Sequence, residues 1–222
     1  MSRHSDPRRS AFGALVVLGW TGLAGCGAST HPSATAIVAP TPGPPTAVQA
    51  GPLAAGIRTG PGTRAEYTVQ IQPAPGTCHY RVEAGATLPD PSCTPGAINP
   101  QVSQSNIGST ICRSGWTATI RPPAGITGPE KAGSALAYGY AGSFTTGEYD
   151  HLIPLELGGD PNDPANLWLQ PNDDPVATST HNGKDRLENT LNDLVCSGAL
   201  TLADAQQAIA SDWVAAARRY EG

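Results

Sequence analysis

More than one residue in five is glycine or proline, 26 and 22 of 222. Both interrupt long helices, so a coiled coil or helical bundle is a poor candidate, and short elements joined by turns are expected. Apolar residues make up 39% and charged residues 14%. That can still build a core, and it is too little charge for a charge-driven disordered chain. The length allows one ordinary domain with appendages. The formal charge of −5 makes a generic nucleic-acid coat implausible, so any nucleic-acid contact must be local.

Five cysteines is an odd number, and the N-terminus accounts for the extra one. Residues 1–10 carry Arg3, Arg8 and Arg9, residues 11–24 are uncharged, and Leu23-Ala24-Gly25-Cys26 follows. A basic start, an apolar stretch and small residues describe a secretory signal over 1–25. The apolar stretch is shorter than the roughly 20 residues a membrane span needs. LAGC also resembles the bacterial lipobox. That resemblance implies acylation of Cys26, export, and a lipid hold on the outer face of the cell membrane.

Cys78, Cys93, Cys112 and Cys196 remain. An even set in an exported chain reads as two disulfides, and sequence alone does not choose among the three pairings. The expected pairs are Cys78–Cys93, closing a short Pro-rich loop, and Cys112–Cys196, tying mid-chain to the C-terminus. There is no C-x-x-C pair to suggest zinc.

Residues 26–65 read as a tether: from 27 to 64, 29 of 38 residues are Pro, Gly, Ala, Ser or Thr, without a hydrophobic period. The folded domain is expected over 66–222. Tyr67–Ile71 alternates like a strand, and Thr117–Ile120 reads as another before Pro122-Pro123. The stretch DPSCTPGAINP reads as irregular structure held by disulfides. In 184–196, Leu187, Leu191, Leu194 and Val195 mark one face of a helix. Gly198 is placed to end it, and Thr201 to cap a second whose stripe is Leu202, Ala205, Ile209, Trp213 and Ala216. Arg218 and Arg219 suit its C-terminal dipole.

The chemistry-bearing stretch is Tyr149-Asp150-His151-Leu152-Ile153-Pro154-Leu155-Glu156-Leu157-Gly158-Gly159, continuing through DPNDPA to Asn166-Leu167-Trp168. It reads as two short strands joined by a long loop, then the helix near 184. An imidazole there can take a proton from water near neutral pH, and the carboxylate beside it can hold a hard divalent cation. Glu156 reads as a solvated strand residue and Asp173-Asp174 as loop solubility.

DHLIPLELGG…NLW resembles the HNH, or His-Me finger, endonucleases, over about residues 148–188. The resemblance implies a ββα-metal hairpin-plus-helix core, which with the irregular disulfide-held N-terminal part and the two C-terminal helices read above makes an α+β fold. It implies His151 as general base, Asp150 as metal ligand and Asn166 as the residue orienting His151. His181-Asn182-Gly183-Lys184 matches the family's [HN]-x-x-K, which implies His181 as second ligand, with Asp185 or Glu188 as alternatives. Lys184 and Arg186 would meet phosphate. Mg²⁺ suits a carboxylate-and-water site best, and a histidine ligand also admits Mn²⁺, Zn²⁺ or Ni²⁺.

From residue 66 onward there are 8 basic and 17 acidic residues. Only Arg113, Arg121, Lys131, Lys184 and Arg186 are placed to neutralise phosphates. Two functions are therefore expected: a surface-anchored, metal-dependent nuclease cutting DNA or RNA, or a non-catalytic envelope lipoprotein using the same scaffold to bind a partner.

Overall fold

A computed structural model describes residues 56–173 and 182–222. The leader, Cys26, most of the tether and His181 lie outside the described residues. In chain order the regular elements are β1 (Arg58–Thr59), β2 (Arg81–Glu83), β3 (Ala86–Leu88), β4 (Ala97–Ile98), α1 (Trp116–Ile120), α2 (Ala124–Ala137), β5 (Gly147–His151), β6 (Leu167–Pro171), α3 (Lys184–Cys196) and α4 (Leu202–Tyr220). The fold is α+β. Three small sheets pair β1 with β4 in parallel, and β2 with β3 and β5 with β6 antiparallel.

The C-terminal helices follow their apolar period. Leu187, Leu191 and Val195 of α3 are buried, as are Leu202, Ala205, Ile209, Trp213 and Ala216 of α4. Gly198 takes φ +79 just past α3, the left-handed conformation that ends helices. The Thr201 hydroxyl accepts from Asp204 N and caps α4. These helices share a core with Ile111, Trp116 and Ile120, and with Ile153, Leu155 and Leu157 from the loop after β5. A second cluster gathers Cys78, Ala137, Tyr138 and Trp168, with Tyr80 stacked on Tyr138 at 4.7 Å. The disulfides are Cys78–Cys93 and Cys112–Cys196.

Three local expectations need correction. The fold begins before residue 66: Arg58–Thr59 pairs with Ala97–Ile98, and Gly62 N donates to the Asp160 carboxylate at 2.6 Å. Segment 67–71 joins no ladder. Its alternation points outward, leaving Val69 48% and Ile71 93% exposed, while Gln70 N donates to Glu130 and Asn162 Nδ2 to Thr68 O. Residues 117–120 belong to a helical turn, because Trp116 and Ile120, four apart, both enter the core. Helix α2 gave no sequence signal, since Gly125, Gly128, Pro129 and Gly133 interrupt it.

Candidate functional site

Strand β5 ends at His151, opposite Leu167 of β6, with Asp150 opposite Trp168. The chain then makes a short 3₁₀ turn at Leu155–Leu157 and reverses at Gly158, φ +70. Gly159 packs so tightly that a Cβ there would lie 1.7 Å from Ile153 O, so no larger residue fits. This is the physical reason for Gly-Gly in the motif.

Asn166 clamps that loop from inside. Its Oδ1 accepts from Ile153 N at 3.0 Å and Ala97 N at 3.3 Å, and its Nδ2 donates to Ile153 O at 2.9 Å and Asp160 O at 3.0 Å. The buried Asp160 carboxylate accepts from the backbone N–H groups of Gly62, Asn162 and Asp163. Together they fix the Pro161 carbonyl, which lies 3.1 Å from His151 Nε2. A carbonyl only accepts, so Nε2 carries the proton and Nδ1 keeps its lone pair. The side-chain bonds of Asn166 go to the loop and to Ala97, not to the His151 ring.

His151 is 6% exposed, and burial, outweighing the nearby Asp150 charge, pushes its pKa down to about 4. The ring is neutral at physiological pH. Among the described residues its Nδ1 makes no hydrogen bond, and His151 lines a cavity of about 110 Å³ together with Asp150, Arg121, Glu148, Glu156, Asp185 and Glu188. With liquid water at about 30 Å³ per molecule, that holds three or four waters or a group of phosphate size.

Lys184, expected to face a phosphate, is turned inward and fully buried. Its three N–H donors go to Asp150 Oδ2 at 2.7 Å, His151 O at 2.7 Å and Glu188. Burial opposes the charge, but Asp150 and Glu188 outweigh it and keep the ammonium protonated. No proton remains for an outside anion. Arg186, the other expected phosphate contact, is 79% exposed and paired with Glu221, and does not line the cavity. Lys131 is spent on the Phe144 and Gly147 carbonyls. Asp173 does more than solubilise a loop: its carboxylate accepts from Gly183 N at 2.6 Å, at the start of α3.

Sequence reasoning missed two acidic members of the cavity, Glu148 and Glu156. Glu148 is two residues before Asp150, and strand periodicity offered a signal for it. Glu156 sits on the 3₁₀ turn rather than on a solvated strand, with Oε1 buried and unpartnered. Arg121, expected among the cations that meet phosphate, is brought into the lining by tertiary packing of the segment after α1.

Of the five carboxylates that line this space, three are raised, chiefly by burial. Glu148 is pushed up to about 7 by burial, then by Asp150 and Asp185. Glu156 is raised by burial, and Glu188 by burial and by Asp150. Crowded, reluctantly ionised acids favour a cation among them. Asp150 Oδ2 faces Lys184, whereas Oδ1 has no hydrogen bond among the described residues. The donors are hard oxygens, and Glu156 supplies an orphaned one. Among the described residues no three His, Cys, Asp or Glu side chains converge to enclose an ion. Mg²⁺ or Mn²⁺ tolerates that, because such ions keep several waters and lean on one or two carboxylates. The oxygens left to such an ion are Asp150 Oδ1 and Glu156 Oε1, since Asp150 Oδ2 is taken by Lys184. Compared with known protein families, curated proteins and solved structures, the chain gives no match.

Proposed function

We propose that this protein is a metal-dependent phosphodiesterase that cuts DNA or RNA, exported and held outside the cell by a lipid on Cys26. One observation carries the reading: a neutral histidine with its tautomer set by a backbone carbonyl stands beside Asp150 in a phosphate-sized, acid-lined cavity. Two disulfides suit an oxidising compartment.

In this reading His151 Nδ1 takes a proton from water. The resulting hydroxide oxygen bonds to phosphorus as the bond from phosphorus to the 3′-oxygen breaks, and the departing oxygen takes up a proton. Products carry 5′-phosphate and 3′-hydroxyl ends. A positioned base contributes about 10²–10⁴-fold. Asn166 and Pro161 hold the ring in register, while Lys184 fixes Asp150 and the His151 carbonyl. Arg121, exposed and without an ion-pair partner among the described residues, is placed to meet a phosphate oxygen. A divalent ion held by Asp150 would supply Lewis acidity and offset the negative field that otherwise repels a phosphodiester.

A second reading, a non-catalytic lipoprotein that uses the scaffold for partner binding, is favoured by two facts. Lys184 already neutralises Asp150, and the folded part has a large acidic excess. Incubation of the purified chain with DNA and RNA in Mg²⁺, Mn²⁺, Zn²⁺ or Ni²⁺, against chelator, separates the two. The nuclease reading expects metal-dependent cutting that His151→Ala abolishes. No cutting with any metal, and no retained metal, supports the scaffold.

A further inference from the structure

A second cleft, of about 330 Å³, lies between residues 111–117 and the later half of α3. Thr117 and Glu156 line both this cleft and the His151 cavity, so the two are neighbours. The Cys112–Cys196 disulfide lines it from both sides. Asn192 also lines it, with Nδ2 bonded to Glu156 O at 2.7 Å. Arg113, exposed, lines it too and has no ion-pair partner among the described residues, although Asp193 lines the same cleft. The wall running from 113 to 121 thus presents two guanidinium groups without an ion-pair partner among the described residues, one beside each cavity. The other cations near the site are spent: Lys184 on Asp150 and Glu188, Arg186 on Glu221.

We infer that this cleft is the subsite for the nucleotide next to the cleaved phosphate, and that the substrate is therefore single-stranded. The inference rests on the phosphodiesterase reading. The sizes divide the work: the His151 cavity admits a phosphate group and a few waters, whereas the cleft reaches the range of about 300–1,000 Å³ in which proteins enclose small organic ligands. Polar groups of Ser114 and Asn192 line it beside the apolar Ile111, as a base with a polar edge and an apolar face requires. A paired base would have to leave its stack to enter, at a cost of a few kcal/mol that a single strand avoids. Duplex binding usually draws on many phosphate contacts, and this wall offers two guanidinium groups in an otherwise acidic surround.

The test is fluorescence anisotropy of labelled single-stranded DNA and RNA oligonucleotides, and of the matched duplex, on the full chain carrying His151→Ala. Cutting by the wild-type chain is followed in parallel. Single strands are expected to bind at least about tenfold more tightly than duplex, a gap of about 1.4 kcal/mol. Two phosphate contacts predict a slope of about −1.4 in log affinity against log salt for single strands, and Arg113→Gln is expected to reduce it by about 0.7. Duplex bound as tightly as single strands, no binding of either, or an unchanged slope in Arg113→Gln overturns the subsite. If single-strand preference and its Arg113 dependence hold while the wild-type chain cuts nothing with any metal, the subsite stands and the hydrolytic reading falls. If duplex and single strands are cut alike and Arg113→Gln cuts normally, the reverse is true.

Discussion

Lys184 Nζ lies 2.7 Å from Asp150 Oδ2, with no solvent exposure of its own, and bonds Glu188 one helical turn further along α3. One ammonium thus keeps two carboxylates apart and joins α3 to β5. Lys184→Met leaves both acids facing each other without a cation. Loss of one partner from a buried ion pair costs about 3–5 kcal/mol, and that destabilisation is expected in urea denaturation. Adding Glu188→Gln to Lys184→Met is expected to recover part of it. A loss below about 1 kcal/mol would mean that the cluster is solvated rather than buried.

Asn166 makes four side-chain hydrogen bonds within the loop that holds Pro161. Asn166→Ala strands several buried groups, each worth about 1–3 kcal/mol, so a loss of several kcal/mol is expected. Asn166→Asp keeps the two acceptor contacts but turns an oxygen toward the Ile153 and Asp160 carbonyls. It is expected to destabilise strongly as well, and to raise the histidine pKa by releasing the ring. NMR titration of His151 in Asn166→Asp checks this.

The pH dependence has a definite sign. His151 has a pKa of about 4 when folded and about 6.5 when unfolded. Between these values the unfolded chain binds more protons, so stability falls as pH drops through that window. The full effect is about 3 kcal/mol. Glu148 acts oppositely: its raised folded value, about 7, adds stability at low pH that is lost as pH rises through 7. Unfolding measured against pH in wild type and His151→Gln separates the two, since the acid-side decline should shrink in the variant. The acid limb of the rate profile is likewise expected nearer 4 than 6.5.

The two disulfides differ in span. Cys112–Cys196 closes a loop of 84 residues and Cys78–Cys93 one of 15. Chain-entropy arguments give about 4.6 kcal/mol for the longer and about 3 for the shorter. Paired Cys→Ser variants, compared by thermal unfolding, should therefore rank with the Cys112/Cys196 pair more damaging. At the N-terminus, Cys26→Ala is expected to move the protein from the detergent phase to the aqueous phase in phase partitioning of cell extracts. An unmoved protein would count against lipidation.

Much of the α+β fold was legible where a period or a cap repeats. The α3 and α4 stripes, Gly198, Thr201 and the β5–β6 pair all announce themselves locally. Helix α2 did not, because Pro129 and its glycines erase the helical signal, and packing on β5 and β6 supplies what propensity lacks. The strand signal at 67–71 misled because alternation does not say which face is buried. In the site, Asp150, His151 and Asn166 were pointed out by the family resemblance; the first two line one cavity, and Asn166 bonds the loop beside it. The resemblance gave Lys184 a phosphate partner, whereas its ammonium is buried on Asp150, His151 O and Glu188, since nothing local tells a buried ammonium from a solvated one. Arg121 and Glu156 come from distant or turning segments, so only the folded chain brings them to His151.

The most direct test of the central claim compares wild type and His151→Ala at matched folded fraction, checked by circular dichroism, for Mg²⁺- or Mn²⁺-dependent release of 5′-phosphate ends from single-stranded DNA and RNA. A fall of about 10²–10⁴-fold is expected in the variant, with activity in wild type abolished by chelator. Equal cutting by the two proteins, or metal-independent cutting by wild type, would contradict it.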